Sequence, residues 1–166
     1  MPAPEPEPEA AGMLRGMKSP VHFYFDFSSP YSYIANADAA AIETLYQAYQ
    51  QNPESVDFGW RKFFEGFDFS QQFTFPWDRM YVFAPYSSRD TVNSALGFEW
   101  AGYDQSVIEN TDTVNLVVFV KDSKVVGWFE QARSVDLDQI ATPDGYARSD
   151  ASFRVKPSEL GVVLQR

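Results

Sequence analysis

Few residues in this chain carry side chains suited to bond-making chemistry, and their spacing limits what they can do. His22 is the single histidine, and the 166 residues include no cysteine. A Ser–His–Asp nucleophile built on Ser28 or Ser29 would need the imidazole to reach across from an adjacent strand position. Neighbouring strand residues point to opposite faces, so that geometry fails. Zinc requires more nitrogen and sulfur ligands than one histidine supplies. Asp136, Asp138 and Asp144 stand near one another ahead of Gly145. A calcium loop needs a denser, ordered oxygen set ending in a bidentate glutamate, which this order lacks. No glycine-rich phosphate loop of either common type is present. These residues predict no catalytic apparatus, no metal site and no cofactor. The one serine kept as a candidate is Ser29, at the Ser28-Ser29-Pro30 turn.

The elements that would position these groups follow from periodicity and breakers. Residues 1–18, opening with PAPEPEPE, lose backbone donors to proline and repel through glutamate, which predicts an extended, disordered tail. Val21 to Phe27 is rich in β-branched and aromatic residues and reads as a strand. Pro30 ends it, having no N–H and restricting the residue before it. Residues 38–50 read as a helix with Asp38 as N-cap, because Ile42, Leu45, Tyr46 and Tyr49 recur at i, i+3, i+4 and i+7. Asn52-Pro53 stops it. A second short helix follows Ser55 or Asp57 and carries Trp60, Phe63, Phe64 and Phe67, so the two form a helical hairpin. Residues 68–76 show no clear period and read as a linker.

From residue 76 onward the pattern predicts a small mixed α+β domain. Met80 to Phe83 is a short strand. Ser87 and Asp90 fit a capping box ahead of a helix that Gly97 stops. Thr113 to Val120 and Lys124 to Gln131 are strands joined by a tight turn at Asp122-Ser123, and Phe153 to Val155 and Gly161 to Leu164 add terminal strands. The expected fold class is therefore α+β. Its domain order is a tail at 1–18, a strand and turn at 19–35, a helical segment and linker at 36–75, and the mixed domain at 76–166.

Composition narrows the partners. Aromatic residues make up 17% of the chain and the formal net charge is −10, with acid in excess along its whole length. No basic cluster exists to neutralise phosphates, so nucleic acid and anionic membrane surfaces are excluded as partners, and a basic protein surface is favoured. No apolar run approaches the length needed to span a bilayer, and no charged start leads into an apolar segment. A soluble, cytoplasmic protein is expected. The ring series Trp60, Phe63, Phe64, Phe67 and Phe69 is dense for a short helix. It reads either as a core face or as a partner-binding face, since aromatic side chains anchor interfaces. The partner-binding set on the second reading is Tyr46, Tyr49, Trp60, Arg61, Phe63, Phe64 and Phe67, with Arg61 and Lys62 as a polar rim.

Three stretches resemble known families. Ser32 to Phe73, from SYIANA through the NPESVD turn to Trp60 and FFEGF, resembles the extreme N-terminal segment of the thiamine-dependent component of the 2-oxoglutarate dehydrogenase complex. In that family the segment precedes the catalytic body and is associated with docking to other components. The resemblance implies a docking arm and a partner among 2-oxoacid dehydrogenase components. The Gly-Asp-Gly and magnesium-ligand elements that hold thiamine diphosphate have no counterpart here. Phe23 to Asn36, FYFDFSSPYSYIAN, resembles the opening of 2-hydroxychromene-2-carboxylate isomerases and kappa-class glutathione transferases, of thioredoxin-like fold. That resemblance implies Ser29 beside a glutathione thiolate, an alternative enzymatic reading with glutathione as cofactor. Trp77 to Asp138, with WDRMYVFAPYSS, LGFEW and VNLVVFVKDSKVVGWFEQAR, looks like small bacterial lipoprotein-type domains without assigned chemistry. Three different folds and compartments imply a mosaic chain, whether from fusion, engineering or sequence generation. The expected function is non-catalytic protein interaction or an adaptor role. The alternatives are the Ser29-based glutathione reading and a stably folded mosaic with no function of its own.

Overall fold

The computed structural model describes residues 37–166. The tail expected over residues 1–18, the strand expected over Val21 to Phe27, His22 and Ser29 all lie outside the described residues. Helix α1 (Ala39–Gln51) begins where Asp38, in extended conformation, accepts the Ala41 N–H at 2.8 Å. That hydrogen bond satisfies one of the donors a helix start leaves over. The helix ends at Asn52, whose N–H reaches the Ala48 carbonyl at 2.9 Å, and Pro53 cannot continue it. Helix α2 (Phe58–Glu65) starts in the same way, with the Asp57 carboxylate accepting the Trp60 N–H at 3.1 Å.

Residues 68–76, expected as a linker, carry structure instead. Strand β1 (Phe67–Asp68) and the single helical turn α3 (Phe69–Gln72) follow α2 almost directly. Phe69 and Phe73 sit four apart across this turn, both buried, with rings stacked at 5.8 Å. The turn is too short to display a period, which is why the pattern alone reads as irregular. Trp77 then donates its indole N–H to the Phe73 carbonyl at 2.8 Å, anchoring the chain as it enters the sheet.

Two four-stranded sheets follow. The first contains β2 (Arg79–Phe83), β3 (Val114–Lys121), β4 (Lys124–Ala132) and β6 (Tyr146–Ala147), in the order β4-β3-β2-β6, with every pairing antiparallel. Between β3 and β4, Asp122 and Ser123 both take the left-handed backbone, at φ 50° and 59°. This is the two-residue turn whose twist matches that of the strands. The second sheet contains β1, β5 (Val135–Asp136), β7 (Ser152–Ser158) and β8 (Gly161–Gln165), in the order β1-β7-β8-β5, with β5 parallel to β8. The terminal strands expected from Phe153 and Gly161 form this antiparallel β7–β8 hairpin.

The first sheet is covered on both faces, because alternate side chains leave a strand in opposite directions. Met80, Val82, Val117, Phe119 and Phe129 join one core with Ile42, Trp60, Phe63, Phe64, Phe69 and Phe73 from the helical segment and Phe153, Val155 and Leu164 from the second sheet. Tyr81, Phe83, Leu116, Val118 and Trp128 face a second core with Val92, Leu96, Trp100, Tyr103 and Ile108. A strand buried on both faces reads as a continuous apolar run, and β3 does so through Leu116–Val120. The helical segment and the sheet thus share one core, with α+β composition.

Helix α4 (Arg89–Leu96) belongs to the outer layer over the second core. Its N-cap is Ser88, which accepts the Thr91 N–H at 3.2 Å, a correction to the Ser87/Asp90 capping box. Ser87 is engaged elsewhere: its hydroxyl donates to the Ala84 carbonyl at 2.7 Å and its own carbonyl accepts the Tyr103 hydroxyl at 2.6 Å. Gly97, at φ 81°, stops the helix as expected, its N–H bonding the Asn93 carbonyl at 2.9 Å.

Candidate interaction surface

The ring series on the helical pair forms a continuous chain of T-shaped, tilted and stacked contacts from α1 into the sheet. Tyr46 meets Phe64 in a T-shaped contact at 5.1 Å, Tyr49 meets it at 5.3 Å, and Trp60 stacks on it at 5.6 Å. Phe63, Phe67, Phe69 and Phe73 continue the line to Phe119, 4.9 Å from Phe73. Such pairs add about 0.5–1.5 kcal/mol each beyond the area they bury. Trp60, Phe63, Phe64 and Phe67 are at most 7% exposed, so their bulk lies inside the shared core. Tyr46 and Tyr49 are half-buried at its margin. Arg61 turns back along its own helix start, pairing with Glu54 at 3.0 Å and donating to the Val56 carbonyl at 3.3 Å. Lys62 pairs with Glu65 at 2.8 Å.

The outward face of the helical pair holds a residue that the expected set omits. Phe58, first in α2, is 66% exposed, with the Lys62 ammonium 5.7 Å from its ring centroid. The signal was present in the spacing. Trp60, Phe63 and Phe64 mark one side of the helix, whereas Phe58 and Lys62 stand four apart on the other; Phe67, expected on the same helix, lies beyond its end in β1. Glu43, Gln47, Gln50 and Gln51 of α1 are also exposed.

The three aspartates weighed as a metal set are separated by the fold. Arg133 bonds Asp136 at 3.0 Å and Asp138 at 2.7 Å. The Asp136 hydrogen bond, against a smaller cost of burial, pushes the Arg133 guanidinium further up and keeps it charged. Asn115, fully buried on β3, donates to Asp138 at 2.6 Å and accepts the Leu137 N–H at 2.9 Å. Asp144 lies elsewhere, with Asp90, Thr91 and Ser94 in an open cleft of about 620 Å³ beside α4. Among the described residues no group of three or more His, Cys, Asp or Glu could hold a metal ion. In the outer layer, burial and the neighbouring charges of Glu109 and Asp104 push the Tyr103 phenol up, while Arg89 over its ring opposes them.

Set beside known proteins, the chain shows one partial likeness. The family model described as 2-oxoglutarate dehydrogenase N-terminus matches residues 31–71, which include α1, α2 and the start of α3. No curated protein and no solved structure matches the chain. The isomerase-like and lipoprotein-like resemblances receive no support from these comparisons. Among the described residues no helix is long and apolar enough to cross a membrane.

Proposed function

We propose that this chain is a non-catalytic docking protein whose helical segment engages a component of a 2-oxoacid dehydrogenase complex. The observation that carries the reading is the family match over residues 31–71, a segment with two capped helices standing on a rigid aromatic base. In this reading Trp60, Phe63, Phe64 and Phe67 hold the helical pair in shape from beneath. Tyr46 and Tyr49, half-exposed, and Phe58 on the outward face meet the partner, with Arg61 and Lys62 at the rim. A rigid aromatic at an exposed position gives contact area with little rotamer entropy to lose, which suits it to anchor an interface. A soluble, cytoplasmic setting belongs to the same reading.

The immobilised full chain is offered purified acyltransferase and lipoamide dehydrogenase components at micromolar concentration. Retention of one of them, reduced by Phe58→Ala, is the expected result. Failure to retain either component overturns the docking role.

A further inference from the structure

A second exposed surface lies on the opposite side of the first sheet, in the layer that covers the second core. Tyr86 follows β2 with a left-handed backbone at φ 64°, and its side chain is 62% exposed. For a bulky residue this region is a genuine outlier, with a backbone cost that glycine would avoid. Neither burial of the ring nor a cap explains why a tyrosine stands there. The backbone is pinned in place: the Tyr86 N–H donates to the Ile108 carbonyl at 2.8 Å. That bond sets Tyr86 against the Val107–Glu109 turn, where Val107 is 52% exposed. Val107 is itself held, since its N–H donates to Glu130 at 2.8 Å and the Ser106 hydroxyl donates to the same oxygen at 2.7 Å. The two turns are therefore held together by their backbones, and between them they carry an exposed aromatic ring, an exposed aliphatic side chain and Glu109.

Charge decides what would cover it. Residues 84–112 contain five carboxylates, Asp90, Glu99, Asp104, Glu109 and Asp112, and one cation, Arg89. Arg89 is already engaged with Asp104 and with the Tyr103 ring. Glu109 is exposed and has no ion pair among the described residues. We infer that this surface binds an arginine-bearing peptide segment, with the guanidinium stacked on Tyr86, its charge facing Glu109 and its methylene stem lying over Val107. Arginine fits better than lysine because its planar, weakly hydrated head stacks on rings while it pairs with a carboxylate. This binding surface is independent of the docking role of the helical segment.

The test is fluorescence anisotropy on the full chain with a labelled alternating Arg-Ala octapeptide, its Lys-Ala counterpart and a Glu-Ala control. Binding is expected in the order Arg-Ala, Lys-Ala, Glu-Ala. Tyr86→Gly should weaken the Arg-Ala peptide about three- to fivefold, the loss of one exposed cation–π contact. Because glycine suits the backbone there, the same variant should keep or raise Tm, so a loss of binding would not reflect unfolding. Glu109→Gln should also weaken binding and flatten its salt dependence. Glu159→Gln, at the exposed β7–β8 turn, should change nothing. Three results would overturn the inference: unchanged binding in Tyr86→Gly, an equal loss in Glu159→Gln, which signals diffuse attraction to an acidic chain, or a concentration-dependent dimer that Tyr86→Gly abolishes, which makes a second copy the occupant.

Discussion

Asn115 and Asp138 are joined by a 2.6 Å hydrogen bond, and the other side of the Asn115 amide accepts the Leu137 N–H at 2.9 Å. One fully buried side chain thus ties β3 to the segment that leads out of β5. Asn115→Ala would leave a buried N–H without an acceptor and a carboxylate short of a donor. Such orphaned groups cost about 1–3 kcal/mol, so urea denaturation should show a loss of about 2 kcal/mol with an unchanged m-value. Asn115→Asp, which sets a second carboxylate against Asp138, should be worse at pH 7 than at pH 4.

Phe58 and Trp60 sit two residues apart in α2 with opposite fates, 66% and 7% exposed. Trp60→Ala removes a ring packed on Phe63 and Phe64 and should cost about 3–5 kcal/mol of stability. Phe58→Ala should stay within about 0.5 kcal/mol of wild type, as surface substitutions do, while reducing retention of the dehydrogenase component. Thermal melts run beside the binding assay separate the two. Equal melts for both variants would contradict the inward orientation of Trp60.

Gly161 opens β8 at φ 136°, and a Cβ built there meets the Ser134 carbonyl well inside van der Waals contact. That carbonyl also accepts the Val162 N–H at 3.0 Å, so it has little room to retreat. Gly161→Ala should therefore destabilise by about 2 kcal/mol or more, combining backbone strain with overpacking. Differential scanning calorimetry would register it as a lowered Tm.

Asp68 caps α3, accepting from the Ser70 N–H at 2.8 Å and the Ser70 hydroxyl at 2.6 Å. Burial tends to raise its pKa, but the hydrogen bonds from Ser70, Ser152 and the Gln71 backbone together hold the carboxyl below its usual value of 3.8. A carboxyl lowered in the folded state contributes stability above its unfolded pKa, and that contribution fades as pH falls through the folded one. Asp68→Asn should cost stability at neutral pH, and the difference from wild type should shrink below about pH 4. Denaturation midpoints measured from pH 7 to pH 2.5 would show the convergence, and a constant difference would contradict the assignment.

Much of the architecture was legible locally. Asp38, Asp57 and Gly97 act where their positions in sequence place them, because caps are local hydrogen bonds between neighbours. The β3–β4 hairpin was legible for the same reason, through Asp122 and Ser123. The α4 cap was missed by one residue, since the Ser87 hydroxyl is taken by the Ala84 carbonyl three positions back and the next serine, Ser88, caps instead. The linker at 68–76 concealed a helical turn because four residues cannot display a period.

By itself the sequence determined the alternation of elements, the acidic character and the lack of a histidine–cysteine chemistry, all of which depend on residue type and near-neighbour spacing. It also left two readings of the ring series open, a core face or a binding face, since an aromatic stripe looks the same in either role. Tertiary structure placed Trp60, Phe63, Phe64 and Phe67 in the core by bringing Phe119, Phe129 and Phe153 against their segment from far along the chain. It also turned Phe58 and Tyr86 outward and divided Asp144 from Asp136 and Asp138. The physical reason is that burial is a property of pairs distant in sequence, settled only once two sheets and the helical segment close on a shared apolar volume.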